Sequence, residues 1–151
     1  MGAFFKDKSE LFIGMYVMHP ETYVPAQVYE IDTTGSCKIR GAGSLRWGRS
    51  VLYPVSITPN KLSSFGFGTF GDGDRTFYHE ENKKDPDHYF YGEYSLNDKE
   101  LIINAPGGVN IIREGVKYVH EFQWALIEAG FRRLAVDTVV SYTGSTRILV
   151  T

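Results

Sequence analysis

Apolar residues in this chain come in short runs of five to eight separated by turn residues, and only one stretch carries a helical period. Runs of that length with Gly, Pro, Asn and Asp between them read as hairpin strands. Residues 11–17 (LFIGMYV) lead into a turn cluster at His19, Pro20 and Glu21, and residues 24–31 then alternate, with Val24, Ala26 and Val28 inward. A turn at residues 32–35 returns the chain through residues 36–40 (SCKIR). Residues 51–57 (VLYPVSI) give another strand, in which Pro54 has no N–H for a ladder and so belongs at an edge or a bulge. Four or five strands at this spacing predict a small curled sheet or partly open barrel over residues 1–57.

The pattern then changes. Thr58 has the hydroxyl of an N-cap, Pro59 fits the first helical position, and Gly66 suits the left-handed residue after a helix, so two turns of helix are expected between them. Phe65 and Phe67 would anchor that helix. Phe70, Phe77 and Tyr78 precede a polar loop, and Tyr89, Phe90, Tyr91 and Tyr94 follow it, which predicts a hairpin with a polar tip. A second hairpin pairs residues 100–104 (ELIIN) with 109–113 (VNIIR) around Pro106, Gly107 and Gly108. Residues 118–129 form the one substantial helix, stopped by Gly130. Steps of 100° put Tyr118, Val119, Phe122, Ala125, Leu126 and Ala129 on a core face, and His120, Gln123, Trp124, Ile127 and Glu128 on the other. Residues 134–142 and 146–150 read as a closing hairpin. The expected class is α+β: a barrel-like sheet (1–57), then an antiparallel sheet packed on one main helix (58–151), together a single compact unit.

With 151 residues, 42% of them hydrophobic, the chain can bury a core without disulfides or a structural metal. Its net charge of -2 withholds the overall basic field of a non-specific nucleic-acid binder. Charge is uneven, however: residues 72–100 hold nine acidic and four basic residues. The lone Cys37 fits a reducing compartment or a virion. Residues 1–5 (MGAFF) are too short for a signal peptide, and no apolar run reaches membrane-spanning length. The expected location is a host cytoplasm or a virion, with no membrane partner.

Three segments resemble an uncharacterised family of small proteins from phages and integrated elements of Bacteroidota. They are residues 11–17, residues 52–59 continuing to Phe65, Gly66 and Phe67, and Tyr118, Val119, His120, Glu121, Phe122, Gln123 and Trp124. The family patterns are L-x-I-G-N-x-V, P-I-x-L-T-x-E-x-L-x-x-x-G-F and Y-V-H-Q-L-Q-N. Met15 replaces the usual Asn of the first, and Glu121 and Trp124 replace Gln and Asn in the last. The resemblance implies a phage or mobile-element setting and supplies no catalytic residues.

Residue chemistry narrows the function further. Gly66, Gly68 and Gly71 match G-x-G-x-x-G, but a helix precedes them and Asp72 and Asp74 follow where they would repel a phosphate. An EF-hand beginning at Asp72 fails, because Phe77 stands where the turn needs Gly and Lys83 where a bidentate Glu is required. His120–Glu121 lacks the second His of a zinc-protease helix, since Trp124 occupies its place. His79, Glu80, Glu81, Asp85, Asp87 and His88 would gather a metal only if the hairpin brought them together; a hydrated tip is the plainer reading. Cys37, its pKa lowered slightly by Lys38, has no nearby base in sequence. No enzyme activity, metal or cofactor is therefore expected.

Three groups stand as contact candidates. Asp72, Asp74, Glu80, Glu81, Asp85 and Asp87 form an acidic segment able to imitate nucleic acid toward a basic host or phage protein, such as a host defence nuclease that the chain would inhibit. His120, Trp124 and Ile127 put a Trp among polar groups, either as a contact hot spot or as a face covered by the closing hairpin. Lys38, Arg40, Arg46 and Arg49 around Trp47 offer the alternative of a nucleic-acid-binding module, against a solvated strand edge. A virion structural role is the third possibility.

Overall fold

A computed structural model describes residues 4–41, 45–71, 73, 75–106 and 109–140. Two compact units make up the chain: Met1–Ser56 with Tyr118–His120, and Ile57–Lys117 with Glu121–Thr151. The class is α+β, with one antiparallel sheet in each unit.

In the first unit the strands are β1 (Tyr16–Met18), β2 (Pro25–Ile31), β3 (Cys37–Ile39), β4 (Arg46–Trp47) and β5 (Tyr53–Pro54), in the order β4-β3-β2-β1-β5. The sheet is curled but open, since β4 and β5 are its two edges. Pro54 lies in an edge strand, where a missing N–H is tolerated. Between β2 and β3 the register slips from Val28↔Ile39 to Glu30↔Lys38, and the extra residue, Tyr29, bends the strand. Residues 11–17 do not make one strand. Gly14, at φ 92°, turns the chain and donates to the Val28 carbonyl at 2.8 Å, which leaves only Tyr16–Met18 extended. Leu11 and Met15 instead join Phe5, Val17, Val28, Cys37, Ile39 and Leu52 in the core. The Tyr118–His120 piece belongs to this unit through a Ser56↔Tyr118 bridge and a Val119 N–H bond to the Val55 carbonyl at 2.8 Å. The Tyr118 and His120 rings stack 5.9 Å apart, and Phe5 meets His120 edge-on at 5.0 Å.

The second unit is a meander of β6 (Thr76–Glu81), β7 (Phe90–Ser95), β8 (Glu100–Ala105) and β9 (Val109–Arg113), paired in that order. Helix α1 (Pro59–Ser64) starts at Thr58, yet the Thr58 hydroxyl caps no helical N–H and instead accepts from Lys61 Nζ at 3.4 Å. Its other end is closed by a double bond pattern: Gly66 N–H to the Ser63 carbonyl (2.9 Å) and Phe67 N–H to the Leu62 carbonyl (3.0 Å). Gly66 is required twice over, because its φ is 88° and a Cβ there would stand 2.7 Å from the His79 ring. That turn delivers Phe65 and Phe67 onto Phe122 at 5.2 and 5.1 Å.

Phe122 lies on α2 (Val119–Glu128), with Ala125 and Leu126 also buried. Gln123, expected on the outward face, is fully buried, and its Nε2 donates to the Ala135 carbonyl at 2.9 Å. That bond helps to explain a second correction. Residues 134–142 do not open a hairpin: Arg132–Asp137 is a short helix, α3, with Ala135 buried. The apolar run Leu134, Ala135, Val136 has no period long enough to distinguish strand from helix, and the buried amide of Gln123 supplies the donor that a helix-end carbonyl needs. The remainder of the expected hairpin, residues 141–151, lies outside the described residues. Among the described residues no helix is long and apolar enough to cross a membrane.

Candidate functional site

The two-residue period of a strand divides the second sheet into unlike faces. Phe77, Phe90, Tyr94, Leu101, Ile103 and Ile111 point to one side and are buried. Their neighbours form rows on the other side: Tyr78, Glu93, Ile102 and Ile112; then Glu80, Tyr91, Asn104 and Asn110; then Thr76, Ser95 and Glu100. None of these outward residues is buried, and Ile112 is 55% exposed. Phe70, 54% exposed, extends the face by packing on Tyr78 at 5.2 Å. Three carboxylates and no Lys or Arg stand in the three rows.

Tyrosines hold the acids in place. Tyr89 donates to Glu80 Oε2 at 2.5 Å, and Tyr91 donates to Glu93 Oε2 at 3.5 Å. The bond to Glu80 is the main reason the Tyr89 phenol is pushed up to about 12; burial, then the Glu93 charge, raises Tyr91. Both hydroxyls are therefore protonated donors at neutral pH. Such a surface suits cations, which pair with the carboxylates and lie over the tyrosine faces.

The acidic segment does not form one patch. Glu80 and Glu81 are adjacent in β6 and so face opposite sides of the sheet; Glu81 shares the inward side with His79, whose Nε2 is 3.5 Å from its Oε1. Asp85 is tied to His88 at 2.7 Å, which holds its carboxyl below the usual range, and Asp87 is exposed at the hairpin tip. Asp72 and Asp74 lie outside the described residues. Among the described residues no three His, Cys, Asp or Glu side chains gather as metal ligands. The Cys37 thiol is buried and pushed up to about 11 by that burial, against the lowering expected from Lys38.

The basic group is largely engaged within the first unit. Lys38 lies 3.5 Å from Glu30, Arg46 bonds to the same carboxylate, and Arg46 also approaches Asp32 at 3.8 Å. Arg49 donates to the Lys6 carbonyl at 2.6 Å. Arg40 is exposed over the Tyr29 ring, 5.8 Å from its centroid. Trp47 is half-buried against the core, with its indole N–H enclosed. On α2, His120 belongs to the first unit, while Trp124, 49% exposed, and half-buried Ile127 belong to the second.

Sequence reasoning counted the aromatic density around the hairpin but did not phase it, and so missed Tyr78, Tyr91, Glu93, Ile102 and Ile112 as one face. The signal is the alternation in TFYHEE and FYGEYS. No protein-family model, curated protein or solved structure matches the chain.

Proposed function

We propose that this chain acts without catalysis, by protein contact, seating the outward face of its second sheet on a basic protein surface. The observation that carries the reading is the composition of that face: Tyr78, Tyr91, Ile102 and Ile112 interleaved with Glu80, Glu93 and Glu100, with no cation in the rows. Aromatic anchors among charges of one sign are the make-up of a contact surface for a partner of opposite sign. In the phage or mobile-element setting suggested by the sequence motifs, a partner of this chemistry is a host defence nuclease, whose substrate groove carries the cations that bind phosphate; the chain is its inhibitor.

Affinity capture from a Bacteroidota lysate, with wild type and the Glu80→Lys/Glu93→Lys variant side by side, tests this. The expected result is a basic protein retained by wild type at low salt, released by salt, and lost from the variant. Retention of the same proteins by both sinks the reading. So does a salt-sensitive complex with single- or double-stranded nucleic acid in light scattering, which would return the function to the basic segment around Trp47.

A further inference from the structure

Within the second unit a cavity of about 840 Å³ is lined by charges of both signs. Two of them are already engaged, Glu81 with His79 at 3.5 Å and His88 with Asp85 at 2.7 Å. Asp87 comes to it from the tip of the β6–β7 hairpin; Phe131, Arg132, Arg133 and Asp137 come from α3 and the residue before it. Among the described residues no ion pair joins Arg132 or Arg133 to a carboxylate, and none joins Asp87 or Asp137 to a cation. Arg133 and Asp137 are four residues apart on one helix, the spacing at which opposite charges commonly pair, about 5–6 Å between Cβ atoms. Phe131, half-buried with its ring 4.6 Å from Phe90, adds an apolar wall.

The volume lies in the usual range for small-molecule sites, roughly 300–1,000 Å³. The mixture of charges selects among ligands. A simple anion would gain the two guanidinium forks but would face the carboxylates of Asp87 and Asp137; a simple cation would meet the reverse penalty. A molecule carrying both charges a few ångströms apart satisfies both sets at once. We infer that this cavity binds a zwitterion of the amino-acid or short-peptide class, its carboxylate on Arg132 and Arg133, its ammonium on Asp87 and Asp137, and its apolar body against Phe131. This goes beyond the proposed partner contact, since none of these residues lies in the outward rows of the sheet.

The test uses the full-length, ¹⁵N-labelled protein and three related probes: the dipeptide Ala-Phe, its N-acetyl form, which lacks the cation, and its C-terminal amide, which lacks the anion. Saturable shifts of the amides of residues 130–138 by Ala-Phe at millimolar concentration are expected, with each blocked form weaker by roughly tenfold or more. Arg132→Ala/Arg133→Ala and, separately, Asp137→Asn should each weaken Ala-Phe by a similar factor while leaving the unfolding midpoint and the rest of the amide spectrum in place. Three results would overturn the assignment: no saturation by about 50 mM Ala-Phe, a range beyond any useful affinity; blocked forms binding as well as the zwitterion; or inorganic phosphate competing for the same amides more strongly than Ala-Phe, which marks a plain anion site. Glu80→Lys/Glu93→Lys should not change Ala-Phe binding, so failure here and failure of the partner reading are separable.

Discussion

On the first sheet Glu30 faces Lys38 across β2 and β3 and takes Arg46 from β4, whereas on the second, among the described residues, Glu80 and Glu93 meet tyrosine hydroxyls and no cation. The cores differ in the same spirit. The buried cluster behind the first sheet is mostly aliphatic around Phe5, with Phe12 and Trp47 packed against it, while in the second unit rings pack on rings, where Phe122 touches Phe65, Phe67 and Tyr94. In the first unit the cross-strand charges serve the fold. On the outward face of the second sheet, among the described residues, no cation pairs with Glu80, Glu93 or Glu100, and the proposed partner contact draws on that difference.

The largest effect expected from breaking this contrast comes from the rings. Phe122→Ala removes a side chain packed on three aromatic neighbours, and the cavity left behind should cost about 3–5 kcal/mol. In the first unit, Ile39→Val deletes one methylene from a fully buried aliphatic position and should cost about 0.5–1.5 kcal/mol. Urea denaturation of the two variants measures both. A loss below about 2 kcal/mol for Phe122→Ala would mean that the ring cluster does not support the second unit.

A smaller effect is expected at Tyr94, which is fully buried and donates to the Val116 carbonyl at 2.5 Å. Burial is the first cause, and the Glu121 charge the second, that pushes its phenol up to about 12. A raised folded pKa means that the protonated phenol contributes stability in full below the ordinary tyrosine value of about 10, and that this contribution is lost as pH rises through about 12. Tyr94→Phe should flatten the alkaline limb of the stability profile. At neutral pH it should cost about 1–2 kcal/mol, because a buried carbonyl loses its donor. An unchanged alkaline limb would assign that loss to other groups, such as Cys37.

These particulars show what the sequence makes legible. The hairpins of the second sheet, the edge position of Pro54 and the stop at Gly66 are read from local rules, because φ preference and missing N–H groups act within a few residues. The burial of Gln123 and the helical state of Arg132–Asp137 are not legible, since each depends on the other across twelve residues. The candidate face lies between these cases. Alternation in β6 and β7 encodes it, but the rows exist only once the register Tyr78↔Glu93 and Glu93↔Ile102 is fixed; the tight turn at residues 96–99 sets the second pairing locally, while the longer β6–β7 loop leaves the first to packing. Grouping Glu80 with Glu81 is the error that follows from reading composition without phase.

The smallest expected effect sharpens the comparison most directly. The Arg46 bond is the first cause that holds the Glu30 carboxyl below its usual range. A lowered folded pKa means that this pairing contributes stability above the ordinary glutamate value and that the contribution disappears as pH falls through the folded value. Glu30→Gln should therefore lower the urea midpoint slightly at neutral pH, less so at high salt, and should weaken the acid dependence below the ordinary value. Glu93→Gln, on the outward face of the second sheet, should leave stability within about 0.5 kcal/mol, because no cation there depends on the charge. Denaturation of both at low and high salt separates a charge that holds strands together from one that does not. A salt-sensitive loss at Glu93 equal to that at Glu30 would remove the argument that the second sheet keeps its acids for a partner.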